Sequence, residues 1–103
     1  MIKHIVMWKL KEVAECGDRL HNAKKMKQDI EALKTMIPQI KHIEVGINNI
    51  PSDASYDVVL YSEFANEQDL ETYQKHPEHQ KVAEFIGKAR ERRAVVDYHV
   101  DEK

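Results

Sequence analysis

The hydrophobic period of this chain switches between two values, and the order of the switches limits the folds open to it. Residues 2–10, 40–50, 56–64 and 94–100 alternate apolar with polar side chains, the period of a strand that buries one face. Residues 18–36 and 66–89 place apolar side chains three and four apart, the period of an amphipathic helix. The order is therefore β-α-β-β-α-β, the split βαβ arrangement. It predicts an α+β fold with one four-stranded antiparallel sheet, spatial order 4-1-3-2, and both helices on one face. The 103 residues read as a single domain spanning 1–103, close to the commonest domain size.

In the first strand Ile2, His4, Val6, Trp8 and Leu10 share one face, and Lys3, Ile5, Met7 and Lys9 the other. Glu12 to Gly17 reads as a connection, and Asp18 is the expected N-cap of the first helix. Its apolar stripe is Leu20, Ala23, Met26 or Lys27, Ile30, Leu33 and Ile37, and Pro38 ends it. The second strand turns Ile43, Val45 and Ile47 inward; His42, Glu44 and Asn48 opposite suit a sheet edge, and Gly46 suggests a bulge or bend. The third strand aligns Tyr56, Val58, Leu60, Ser62 and Phe64 on one face. In the last helix Val82, Ala83, Phe85, Ile86 and Ala89 mark the inner face, and Arg90-Glu-Arg-Arg93 reads as its solvated end, not a phosphate site. In the last strand His99 shares a face with Asp97, which suggests a sheet-surface pair. Helices cover one face of the sheet only, yet the other carries Ile5, Met7, Val59, Tyr61 and Val95, too apolar to leave in water. A homodimer joined through that sheet face follows from the pattern.

Formal charge is −2, with Lys and Arg interspersed among Asp and Glu. No basic stripe follows a phosphate backbone, so no nucleic-acid partner is expected. No apolar run reaches the roughly 18 residues of a membrane span, and the opening Met-Ile-Lys-His-Ile-Val enters a strand pattern without a signal-peptide core. No membrane partner is expected either. One cysteine, Cys16, rules out an internal disulfide framework and fits a reducing compartment, so the expected location is cytoplasmic. Glu15 and Asp18 would raise the Cys16 thiol pKa, which argues against a nucleophile.

Residues 69–82 read as the end of one helix, a break and the start of another. Leu70 and Tyr73 share a helix face, while Pro77 cannot continue that helix and biases His76 towards an extended backbone. Pro77 suits the first position of a new helix, which puts His79 in its first turn, among unpaired N–H groups and the positive dipole end. That setting disfavours imidazolium and leaves His79 a neutral proton acceptor. Tyr73, His76 and His79 thus meet at one corner as groups able to hold or move protons; the other reading is a corner whose polar side chains only cap and solvate. His76 and His79 alone, with no Cys or carboxylate set beside them, do not make a metal site. His4 reads either as a satisfied core histidine or as a functional one.

Lys3-His4-Ile5-Val6, Ser55-Tyr56-Asp57-Val58-Val59-Leu60, Tyr73-Gln-Lys-His-Pro-Glu-His79 and Val95-Val96-Asp97-Tyr98 together resemble the stress-responsive A/B barrel domain (Dabb) family over essentially the whole chain. The resemblance implies a ferredoxin-like, dimeric α+β barrel. Most members of that family have no assigned reaction. Its plant members include stress-associated proteins and a polyketide cyclase that closes a ring by aldol condensation without a cofactor. Residues of that cyclase's catalytic set correspond here to His4, Tyr73 and His79, and a further third-strand histidine of the set corresponds to Val58.

These readings leave three function classes. The first is binding of a small, mostly apolar molecule in a cleft between sheet and helices, with Trp8, Val58, Leu60, His76 and Phe85 as ligand-binding candidates. The second, implied by the resemblance, is a cyclase-like enzyme with no cofactor: His79 as base, Tyr73 as carbonyl-orienting donor and His4 across the cleft. Val58 would make its far wall apolar. The third is a structural or stress-protective oligomer.

Overall fold

The computed structural model describes residues 1–14 and 17–101; the Cys16 reading, with Glu15, lies outside the described residues. Strand β1 (Ile2–Leu10) runs through the sheet interior, and its alternation is complete: Ile2, His4, Val6, Trp8 and Leu10 are buried while the residues between them are half-buried. A two-stranded hairpin, β2 (Val13–Ala14) and β3 (Gly17–Asp18), leads into α1 (Arg19–Ala32), extended by a 3₁₀ turn at Leu33–Thr35. Strands β4 (His42–Ile47) and β5 (Val58–Phe64) follow, then α2 (Glu67–Lys75), α3 (Pro77–Ala89) and β6 (Arg90–His99). The antiparallel main sheet has the order β4-β5-β1-β6. Counted in main-sheet strands this is the expected 4-1-3-2, in a ferredoxin-like α+β fold.

The helices pack on the face that carries Val6, Trp8 and Leu10. There Ala23, Met26 and Ile30 of α1 and Ile86 of α3 close over Val45, Val58 and Leu60. A second cluster joins Ile2 and Phe64 to Leu33, Ile37, Leu70 and Tyr73. Each large apolar side chain buried this way stabilises the fold by about 1.5–3 kcal/mol relative to exposure. Asp18 caps α1 by accepting from the His21 N–H.

Five local expectations are corrected. The connection before α1 holds the β2–β3 hairpin, helped by Gly17 at a φ of 149°, a backbone region that side chains disfavour. Leu20 is exposed and Asn22 is buried in its stead, because its amide donates to the Ala14 and Gly17 carbonyls and ties the hairpin to the helix. Gly46 makes no bulge: it stays in register opposite Val59, whose Cγ1 would lie 3.2 Å from an added Cβ, so a close approach explains the glycine. Arg90 to Arg93 are strand residues, not a helix end, because α3 stops at Ala89 and Arg90 turns extended (ψ 146°). Val95 stands opposite Val6, on the helix side; Val96, opposite Ile5, and Tyr98, opposite Lys3, take the outer face.

The two sheet edges differ. At β4, Lys27 donates to the Val45 carbonyl and Glu31 accepts from the Val45 N–H, so α1 occupies one residue's free edge groups. The same contacts hold the Glu31 carboxyl below its ordinary pKa, the Lys27 hydrogen bond first and the Val45 N–H after it. Strand β6 is exposed along nearly all its length, so the helix layer stops short of it. Among the described residues no helix is long and apolar enough to cross a membrane.

Candidate functional site

The gap between helices and sheet next to β6 is a cavity of about 360 Å³. Its floor is Val6, Trp8 and Leu60 of the sheet, and Ile30, Val82 and Ile86 of the helices close much of the rest. Its polar lining is His4, Tyr73 and His79, with Gln74, Arg90 and Arg93. Of the sequence-derived candidates, His4, Tyr73, His79, Trp8 and Leu60 line this space. Val58, His76 and Phe85 do not. Val58 is 1% exposed and packed into the core, so it forms no wall of the cavity. Phe85 is turned to α1, where the Lys25 ammonium lies 5.0 Å from its ring.

The helix break brings the corner together. His76 is extended (ψ 137°), and Pro77 opens α3. The His76 Nδ1 accepts from the Glu78 N–H, so this ring caps the helix and does not face the cavity. Tyr73 ends the buried stripe of α2, and His79 is the third residue of α3. Their ring centroids are 4.5 Å apart at 62°, edge to face. The His4 ring lies 6.2 Å from Tyr73, also edge-on, and 6.3 Å from Phe64.

The polar groups are electrostatically distinct. His4 is almost fully buried, and its Nδ1 is hydrogen-bonded to the Asp97 carboxylate on β6. His79 has a buried Nδ1 with no hydrogen-bond partner, and its pKa is lowered. Burial is the main cause; the His4, Arg93 and His76 charges add to it, and the Gln74 backbone opposes it. Burial pushes the Tyr73 hydroxyl well above its ordinary value, with Arg93 pulling slightly the other way. Near neutral pH the site thus offers a neutral imidazole and a protonated phenol side by side. Such a pair can take a proton from one atom while donating a hydrogen bond to another. Among the described residues no group of three or more His, Cys, Asp or Glu side chains could hold a metal ion.

Asp97, Arg90 and Arg93 were not singled out as site residues from the sequence. Asp97 was matched with His99 along its own strand; it bonds across to His4, and His99 lies 3.7 Å from Glu67 instead. The signal for Asp97 was its predicted position on a strand neighbouring the one that holds the buried His4. For the arginines no signal was available, because the local pattern placed them on a helix.

The family described as the stress responsive A/B barrel domain (Dabb) matches residues 2–100. A comparison with curated proteins gives no match. Among solved structures, a dimeric protein of unknown function and ferredoxin-like fold from Bacteroides fragilis is 37% identical, over 96% of this chain and 95% of that one, with a TM-score of 0.85. A hydroxynitrile lyase from Passiflora edulis is 20% identical over 99% and 94%, with a TM-score of 0.81. A Dabb family protein with a ferredoxin-like fold from Mesorhizobium loti is 21% identical over 98% and 97%, with a TM-score of 0.74. At those lower identities the likeness is one of fold.

Proposed function

We propose that this chain, which belongs to the stress responsive A/B barrel domain family, binds a small, mostly apolar molecule in the cavity beside His4, Tyr73 and His79. The observation that carries this reading is the cavity itself. About 360 Å³ lies between aliphatic and aromatic walls, with the His4, Tyr73 and His79 rings among its polar lining. A few convergent polar groups in an apolar pocket are the usual form of a small-molecule site. We also infer that two copies associate through the outer sheet face, where Val59, Val96 and Tyr98 are exposed; the Bacteroides fragilis structure is described as dimeric.

Titration with indole, cyclohexanone and benzaldehyde, read by NMR shifts at Tyr73 and His79, tests the binding reading. Gly87 supplies the control, since it lines the cavity and an added Cβ would meet nothing within 4 Å. Gly87→Leu should obstruct the entrance and remove the shifts. If neither these compounds nor apolar acids of similar size perturb Tyr73 or His79 in the unaltered chain, the reading is wrong.

A second reading, a cofactor-independent proton-transfer enzyme, draws on the contact between Tyr73 and His79 and on the His4–Asp97 pair. The same fold carries a hydroxynitrile lyase in Passiflora edulis. In this reading neutral His79 removes a proton from the carbon next to a carbonyl, and Tyr73 donates a hydrogen bond to the oxygen where negative charge collects. His4, oriented by Asp97, holds the substrate. Exchange of the benzylic protons of phenylacetone in D₂O would report it. His79→Ala should abolish the exchange and Tyr73→Phe should slow it, in both cases with the fold intact.

A further inference from the structure

Arg90 and Arg93 are three apart, a spacing that puts two side chains on opposite faces of a regular strand. Both nevertheless line the cavity. The strand register explains how. Arg93 stands opposite Trp8 and Arg92 opposite Lys9, but Leu10 stands opposite Arg90, so Glu91 is an extra residue in β6. A bulge of this kind re-aims the side chains beyond it. Trp8 and Leu10 both face the helices, and their partners Arg93 and Arg90 face the same way. Arg92, opposite Lys9, faces the other side.

The cavity therefore has two arginines in its lining. Among the described residues no carboxylate lines it, and neither Arg90 nor Arg93 has a carboxylate partner. This positive charge runs against the balance of a chain whose net charge is −2. Both arginines are exposed while the floor residues Val6, Trp8 and Leu60 are buried, so the charges sit at the mouth and the apolar surface lies deeper. Guanidinium is a planar donor suited to oxyanions and keeps its charge throughout the ordinary pH range.

Building on the small-molecule reading above, we propose that the ligand is an apolar acid. Its aliphatic or aromatic body lies between sheet and helices, and one oxyanion group is received at the mouth by Arg90 and Arg93. The β6 bulge is the device that makes the pair, and it separates them from Arg92 on the opposite face.

The test titrates the full chain near neutral pH, where carboxylic acids are ionised. The probes are hexanoate, benzoate, 3-phenylpropionate and 4-butylbenzoate, each against its uncharged primary amide, with phenylphosphonate as a second oxyanion. Binding is read from NMR shifts at Tyr73 and His79. At least one acid should bind about tenfold more tightly than its amide, by a margin that shrinks as salt is added. Arg93→Gln and Arg90→Gln should each reduce that preference, and Arg92→Gln should leave it intact. Phenylphosphonate outbinding benzoate would support the proposal and favour a phosphorus oxyanion over a carboxylate. Amides that bind as well as their acids, or Arg92→Gln acting as strongly as Arg93→Gln, would overturn the acid proposal and leave the cavity as a site for neutral molecules. Failure of both acids and amides to shift Tyr73 or His79 would overturn this proposal and the small-molecule reading together.

Discussion

His4 on β1 and Asp97 on β6 stand directly opposite each other in the strand register, and their side chains are joined Nδ1 to Oδ1. The histidine side chain is 3% exposed and the aspartate 40%, so a solvated carboxylate reaches in to hold a buried ring. Asp97→Asn should preserve the shape and remove the charge. A hydrogen bond to a charged partner contributes about 1.5–3 kcal/mol, and solvent around Asp97 reduces this to about 1 kcal/mol. A lower urea midpoint and altered ring-nitrogen shifts of His4 would register the loss. If neither changes, the pair does not hold the ring.

His79 should make stability depend on pH in a defined window. Its folded pKa lies below the ordinary 6.5, so the unfolded chain takes up the proton first as pH falls. The stability owed to neutral His79 is complete above about pH 6.5 and is lost as pH falls from there through the lower folded pKa. His79→Gln should flatten the stability profile in that interval. NMR titration of the His79 ring should give a midpoint below 6.5; one at or above that value would contradict the burial argument.

Gly87 occupies an exposed position inside α3, and an added Cβ would meet nothing within 4 Å. Gly87→Ala should therefore stabilise the fold by about 0.5–1 kcal/mol by removing the conformational freedom of glycine from a helix interior. Thermal unfolding should move up by a few degrees. No gain would mean that the position is constrained in a way the free space does not reveal.

Val59 is on the outer face of β5 and 36% exposed. Val59→Lys should place a charge in the inferred dimer interface while leaving the helix-side core untouched. Sedimentation should then report a folded monomer where the unaltered chain gives a dimer. An unaltered chain that is already monomeric, or a variant that stays dimeric, would place the interface elsewhere or remove it.

The features fixed by near neighbours in the chain were legible without coordinates. The alternation of Ile2 to Leu10 selects strand and buried face together, because successive side chains on a strand point to opposite sides. Pro77 ends one helix and opens the next through its own ring and missing N–H, so the position of His79 in a first turn follows from residues beside it. The sheet order follows from the order of elements and the handedness of their connections. By the same local logic Arg90 to Arg93 looked like a helix end, and Val95 was assigned to the wrong face. What decided those residues was their pairing with β1: Glu91 is the extra residue, and only the register shows it. The His4–Asp97 bond, the exclusion of Val58 from the cavity and the presence of both Arg90 and Arg93 in its lining likewise depend on which residues of distant strands stand opposite one another. Period and propensity act over a few residues, whereas register and cavity shape are set when β1 packs between β5 and β6; the sequence alone therefore determined the architecture, and the tertiary structure decided the chemistry of the site.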